Sequence, residues 1–557
     1  MFWTWLRRVI YRSRLGGELK RKLLVRIFFT HTLIFTDDIS RSLYNKYGPC
    51  VDLLLGKDRF LLVNDPDFCK AVMKSTDRGL VNGEYRRDFR SRFLMMELWG
   101  RSDIDLFIRS NAIGDWKSRR RILHPAFDQK HVRAMQPDLS SSVHRLIEKL
   151  ASVSEEKGSF DVLPVLQDFT LDFILKSSLG VSLDLTEDNS KGRWIIDIIN
   201  LQCKLFAEYQ FDPFLRLKVG LLAAIGLNPM ELKRREGALR LRSFTKELLE
   251  KEKKRQTEHT DISTTGSEGS GPVNGDSSSD TSSLLSIMVA SSVAAHKSKE
   301  GISSGLSDED VTDELLSFMF AGYDTTSVTL SILLHHLATH PAVQQRLRGE
   351  IDLVLADATT QVAGSSEELD LAELLKVHPL TFLSACIRES QRIQPIVPAL
   401  MRRTEQAIEL KMPSMVSEKL DGLDNKHKPA GAKTKTLMVP KGTKVFVPVF
   451  LLQRNKAYYE NPDEFKPERW LEGAAEGEKK TGGGVRLKHV PTGAFYAFGG
   501  GPKACIGIQL AEKELKMTAI AMLASFSVQS AGDVKITDTF ITGPESVRIR
   551  LTRRGHL

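Results

Sequence analysis

From Ser307 to His340 the chain runs 34 residues without a proline. Ser307-Asp-Glu-Asp310 opens this stretch with a signal that can form a capping box, and Pro341 blocks its continuation. At ~1.5 Å per residue the resulting helix is about 50 Å long, enough to cross an entire domain. Its centre, LLSFMFAGYDTTSVTLSILLHHL, is apolar on nearly every face, so the helix should be buried. Yet Gly322, Asp324, Thr325 and Thr326 sit in the middle. A glycine there costs about 1 kcal/mol relative to alanine. An unpaired buried carboxylate costs far more. One reading is a kink whose threonines bond back to carbonyls one turn earlier. The other is a widened groove that holds a small ligand, with a hydroxyl and an acid arranged for proton delivery. The combination of glycine, acid and hydroxyl favours the groove.

The rest of the chain builds around that helix. Helical periodicity dominates from about Arg120 to Leu249. Strand signals are few and short, near 51–63, 407–411, 437–449 and 526–551. The expected class is therefore mainly α with small β-sheets. Residues 47–557 read as one domain, because helix and strand resume after each low-hydrophobicity stretch. Those stretches are a disordered insertion at 252–283 and loop insertions at 412–435 and 472–484.

Residues 1–46 are different. Up to Arg26 they hold eight Lys/Arg and one acid, Glu18. The longest charge-free run, Ile27 to Thr36, is too short for a bilayer, which needs about 20 apolar residues. Trp3, Trp5, Leu6 and Ile10 among arginines suit a segment lying on a membrane surface, with an organelle transit peptide as the rival. The net charge of +9 suits an anionic membrane or an acidic partner and is too small to argue for nucleic acid. The five cysteines are odd in number and widely spaced, which argues against disulfides and zinc.

Near the end comes FGGGPKACIG, Phe498 to Gly507. A phosphate cradle would need Ser or Thr after Lys503, and Ala504 stands there. A tight turn with an inert buried Cys505 is one remaining reading. A loop whose N–H groups turn inward toward a thiolate is the other. Two further features are weak alone. Glu389 and Arg392 are three apart on one helix face. Arg469 lies in a proline-constrained coil from which it can bond Glu389.

Together these stretches resemble the cytochrome P450 haem-thiolate monooxygenases. Phe498 to Gly507 matches the family's F-x-x-G-x-x-x-C-x-G loop, and Ala321 to Thr326 matches A-G-x-[DE]-T-[TS]. Glu389 to Arg392 matches E-x-x-R, Phe465 to Arg469 and Trp470 match the P-E-R-[FW] segment, and Trp116 to Arg120 matches W-x-x-x-R. The motifs keep the family's order from about Tyr47 to the C-terminus.

The resemblance implies the P450 fold, with haem b (iron protoporphyrin IX) between the long helix and the cysteine loop. It implies Cys505 as the axial ligand of the haem iron, Phe498 packed against the ring, and Gly507 and Ala321 at the cofactor. It implies Lys503, Trp116, Arg120 and Arg402 near the propionates, with Arg403 as an alternative to Arg402. Lysine stands at 503 where the family mostly has arginine. Thr325 and Asp324 are implied in proton delivery, and Glu389, Arg392 and Arg469 in structure. The implied reaction inserts one oxygen atom from O2 into a lipophilic fatty acid, sterol or isoprenoid. Its electrons would come from NADPH through a separate flavoprotein reductase or ferredoxin, steered by Lys117, Arg119, Arg120, Arg121, Lys513 and Lys516. Phe318, Ala321, Val397, Ala399 and Ile541 are the expected pocket residues, under a roof formed by 89–107. The implied location is the cytoplasmic face of the endoplasmic reticulum, with mitochondrion or plastid as alternatives. Two other functions compete: a haem-thiolate isomerase or dehydratase acting on a lipid hydroperoxide, and a non-enzymatic haem-binding protein.

Overall fold

The long helix forms over Asp308–Thr339. Ser307 accepts from the Asp310 N–H at 3.1 Å, and the Asp310 carboxylate accepts from the Ser307 N–H at 3.1 Å. Both halves of the capping box are therefore made, and three acids in the first turn complement the helix dipole. The computed structural model describes residues 37–47, 50–55, 58–74, 80–82, 113–183, 185, 192–201, 229–265, 283–297, 305–362, 380–404, 406–412, 435–473, 486–489, 493–537 and 541–554.

The helices that position the site are α1 (Asp37–Tyr47), α2 (Pro66–Lys74), α3 (Ile113–Leu123), α4 (Gln136–Lys157), α5 (Leu163–Leu179), α6 (Pro229–Thr265), α7 (Leu284–Lys297), the long α8 (Asp308–Thr339), α9 (Pro341–Val362), α10 (Thr381–Ile393) and α11 (Ile508–Ser525). The strands are β1 (Cys50–Leu55), β2 (Asp58–Val63), β3 (Leu80–Asn82), β4 (Phe160–Asp161), β5 (Ala399–Thr404), β6 (Ile408–Met412), β7 (Lys435–Val439), β8 (Lys444–Pro448), β9 (Leu471–Glu472), β10 (Arg486–Leu487), β11 (Phe526–Ser530), β12 (Ile536–Thr537), β13 (Gly543–Pro544) and β14 (Arg548–Arg553). The largest sheet has the order β1-β2-β8-β5-β3. The strand signal near 51–63 forms a hairpin there, with Cys50 opposite Val63 and Leu55 opposite Asp58. A second sheet, β11-β14-β4, ties the last strand of the chain to Phe160 and Asp161. One apolar core joins α4, α5, α8, α10 and α11. The class is mainly α with small sheets.

Two boundaries differ from expectation. The folded body begins before residue 47, because α1 buries Leu43 and Tyr44 against Val51, Leu62, Phe446 and Leu451. The stretch from Glu252 to Thr265 is the end of α6 and not disordered. Its low hydrophobicity hides a polar network. Glu252 accepts from Arg255 Nε at 2.8 Å, Gln256 Nε2 at 2.8 Å and Ser286 Oγ at 2.7 Å, the last from α7. Side chains three and four apart support a helix that buries little apolar surface. The segments 1–36, 83–112, 266–282, 413–434 and 474–485 lie outside the described residues, and with them most of the basic N-terminus, the expected roof and the greater part of each insertion.

Candidate active site

Along α8 the burial pattern breaks once. Residues 311–319 and 326–334 are buried, whereas 320–322, 324 and 325 keep accessible surface. Thr325 Oγ1 donates to the Ala321 carbonyl at 2.7 Å, and Ser327 Oγ donates to the Tyr323 carbonyl at 2.9 Å. The back-bonding expected of a kink is thus present in the same stretch that keeps accessible surface. Asp324 is half-buried, and the protein around it pushes its carboxyl up to about 6 by burial. The Gln167 amide, donating at 3.4 Å, opposes that rise.

The glycine loop lies beyond β10 and leads into α11. Gly499 and Gly501 adopt φ of +72° and +67°, and a Cβ on Gly501 would stand 2.1 Å from the Met73 carbonyl oxygen of α2. Only glycine permits that approach. The Cys505 N–H donates to the Phe498 carbonyl at 2.9 Å and closes the loop. Cys505 is exposed, while dense protein around it still pushes the thiol up by burial. Both hold for a sulfur at the wall of an internal cleft. The Gly507 N–H and the Arg120 charge act in the opposite direction.

Three cations surround the loop. Arg120 Nη1 donates to the Ala504 carbonyl at 2.9 Å. Arg402 is 5% exposed; its Nη1 donates to its neighbour Met401's carbonyl at 3.0 Å, its Nη2 meets Met73 Sδ at 3.3 Å, and its Nε has no partner. Burial pushes this guanidinium down to about 10. Burial and then the Arg402 charge push the Lys503 ammonium down to about 8. A buried guanidinium facing carbonyl and sulfur, with a second cation beside it, matches an anion that completes the set. Strand alternation buries Arg402 and leaves Arg403 half-buried. Trp116 lies on α3, and its side chain is outside the described residues.

The girdle of charges is complete. Arg392 donates Nε to Glu389 Oε2 at 2.8 Å and Nη2 to Oε1 at 2.9 Å. Arg469 Nε, Lys466 N and Trp470 Nε1 each reach the same carboxylate at 2.9 Å. Arg392 Nη1 donates to the Gln453 carbonyl at 2.9 Å, and Gln453 Oε1 accepts from the Tyr496 N–H at 2.8 Å, two residues before Phe498. Gln453 and Gln167 carry no signal in the sequence; Trp470 stood beside Arg469 in the P-E-R-W run.

A family model described as Cytochrome P450 matches residues 27–413 and 431–551. The chain belongs to the cytochrome P450 family. It is 25% identical over 492 residues to cytochrome P450 3A6 of Oryctolagus cuniculus, covering 88% of this chain and 81% of the relative. It is 26% identical over 422 residues to cytochrome P450 4d2 of Drosophila melanogaster, covering 75% and 71%. It is 25% identical over 514 residues to a lithocholate 6-beta-hydroxylase of Mesocricetus auratus, covering 90% and 84%. As a P450, the protein is a monooxygenase that uses haem b with electrons from a redox partner. The unpartnered Arg402 Nε and the accessible thiol fit that cofactor.

Two expectations change within the P450. Arg119 does not serve as a steering charge. It donates inward to Asp310 at 2.8 Å and to Glu314, fully buried on α8, at 2.9 Å. Phe318 is buried against Phe127, with ring centroids 5.2 Å apart, and so packs the core. The Thr542 N–H donates to the Ile396 carbonyl at 2.8 Å, which sets Ile541 beside Val397. A Cβ on Gly543 would stand 3.0 Å from Val328 of α8.

Proposed function

We propose that this P450 inserts one oxygen atom of O2 into a C–H bond of a lipophilic substrate of the fatty acid, sterol or isoprenoid class. The electrons come from NADPH through a separate flavoprotein reductase or ferredoxin. The observation that carries this reading is the acid Asp324, next to Thr325, in the opened stretch of an otherwise apolar helix. Haem held by a thiolate supplies dioxygen activation, because the sulfur donates electron density that favours O–O cleavage. The chain's residues do the rest. Cys505 would hold the haem iron through its thiolate sulfur. The Gly507 N–H tempers its charge, and Phe498 shields it. Arg120, Arg402, Lys503 and Trp116 would hold the propionates, and Ala321 would leave room for the haem. Asp324 passes protons to the Thr325 hydroxyl, which delivers them into the groove. Val397, Ala399 and Ile541 orient an apolar substrate and exclude water.

The lithocholate hydroxylase among the relatives supports hydroxylation as the reaction. The location we assign is the cytoplasmic face of the endoplasmic reticulum, with the basic N-terminus on the membrane surface. Among the described residues no helix is long and apolar enough to cross a membrane. The test is a binding screen followed by turnover. A lipophilic ligand should displace water and shift the Soret band, and NADPH plus a reductase should then yield a hydroxylated product. Turnover of a lipid hydroperoxide without NADPH would instead establish the isomerase reading. NADPH never consumed with any ligand would establish the non-enzymatic one.

A further inference from the structure

Helix α5 grips the groove of α8 residue by residue. Ile174 fills the space over Gly322, where a Cβ would stand 2.8 Å from Ile174 Cγ1. Thr170 Oγ1 donates to the Tyr323 carbonyl at 2.8 Å. Gln167 Nε2 donates to Asp324 Oδ1 at 3.4 Å. Positions 167, 170 and 174 fall on one helical face, so a single stripe of α5 meets three consecutive residues of the groove in order. A larger residue at 322 would have to displace the Ile174 side chain.

The charged groups that reach α8 stand elsewhere along it. Arg119 of α3 meets Asp310 and Glu314, and Arg242 of α6 meets Glu309 and Asp313. Glu514 of α11 bonds Thr326 instead, and α10 closes Glu389 and Arg392 within the girdle. On α5 itself, Asp168 and Asp172 pair with Arg193 and Arg145. His336, on α8's own C-terminal half, bonds Ser390 of α10. Among the described residues Asp324 is therefore met by a neutral amide and by no charge.

We propose that Gln167 is the positioning residue of Asp324: its amide orients the carboxyl in the groove and governs its protonation. An amide donor stabilises the carboxylate without fixing it as a salt bridge would. The acid is thereby left able to take up and release a proton during turnover. This inference rests on the proposed role of Asp324 in proton delivery.

The experiment follows the carboxyl itself. Infrared difference spectra of the full-length haem protein are recorded against pH, and the protonated-carboxyl band absent from Asp324→Asn is assigned to Asp324. In Gln167→Met the midpoint of that band should move up by about 0.5 to 1 pH unit, the worth of one modest hydrogen bond. Gln167→Asn, too short to reach, should move it the same way and serves if the methionine variant does not fold. The pH at which peroxide release rises should follow in the same direction. A merely structural Gln167 would lower stability and leave the midpoint in place. An unchanged midpoint in either folded variant, or no titrating band assignable to Asp324, overturns the proposal. If the midpoint moves while peroxide release ignores it, Gln167 keeps its role and the proton-delivery reading fails.

Discussion

Two carboxylates inside this P450, one fully buried and one at the opened stretch of α8, are treated in opposite ways. Glu389 accepts hydrogen bonds from Arg392, Arg469, Trp470 and the Lys466 N–H, and both its oxygens are used. Asp324 accepts one long bond from an amide. The first is saturated and fastens three segments, α10, the coil around Arg469 and, through Gln453, the approach to the cysteine loop. The second is left short of partners in the groove. Glu389 is held by fixed hydrogen bonds, whereas burial pushes the Asp324 carboxyl up to about 6, within reach of neutral pH. On the proposed reading, the difference separates what holds this molecule together from what moves protons in it.

Substitution should break that contrast most visibly at the girdle. Glu389→Ala strands the fully buried Arg392 guanidinium and should destabilise the fold by about 3–5 kcal/mol. Denaturant unfolding would register it, and the purified variant should hold little haem. Asp324→Asn should leave the fold intact and lower the rate of product formation by about 100-fold, the scale of one general acid. Its stability should change the other way. The folded carboxyl, raised to about 6, lies above its unfolded value, so Asp324 weakens the fold as pH rises from about 4 through 6. Asp324→Asn should therefore be more stable than wild type by about 1–3 kcal/mol at pH 7.5 and equal to it at pH 4. Melting curves at the two pH values check this, and equal stability at both would make Asp324 another structural group.

Thr325→Ala removes the hydroxyl without touching either carboxylate. We expect NADPH consumption to continue while a large share of it appears as peroxide, measured as product and peroxide per NADPH. Full coupling would take Thr325 out of the proton path. The smallest effect should come from Lys503→Arg, which restores a fork suited to a carboxylate. Haem transfer to an acceptor protein should slow by a few-fold, about 1 kcal/mol or less.

The contrast was unevenly legible in the sequence. The central helix could be read to within a residue, because the capping box and Pro341 are local signals. The girdle's Glu389, Arg392 and Arg469 could be named from motifs, but Gln453 could not, since its bonds join residues 61 and 43 positions away in sequence. Gln167 was equally silent, because its meaning comes only from packing against α8. Arg119 looked like a surface charge until α8 supplied its two acids. The tail of α6 looked disordered because side-chain hydrogen bonds, not apolar burial, hold it. Much of what was missed is polar pairing, which leaves no periodic trace.

The central claim is that Cys505 holds the haem iron as a thiolate, and the carbon monoxide difference spectrum of the dithionite-reduced protein tests it most directly. The account predicts a strongly red-shifted Soret band in the wild type and its loss in Cys505→Ser. A wild-type band at the position typical of histidine-ligated haem, or a Cys505→Ser spectrum identical to wild type, would contradict it.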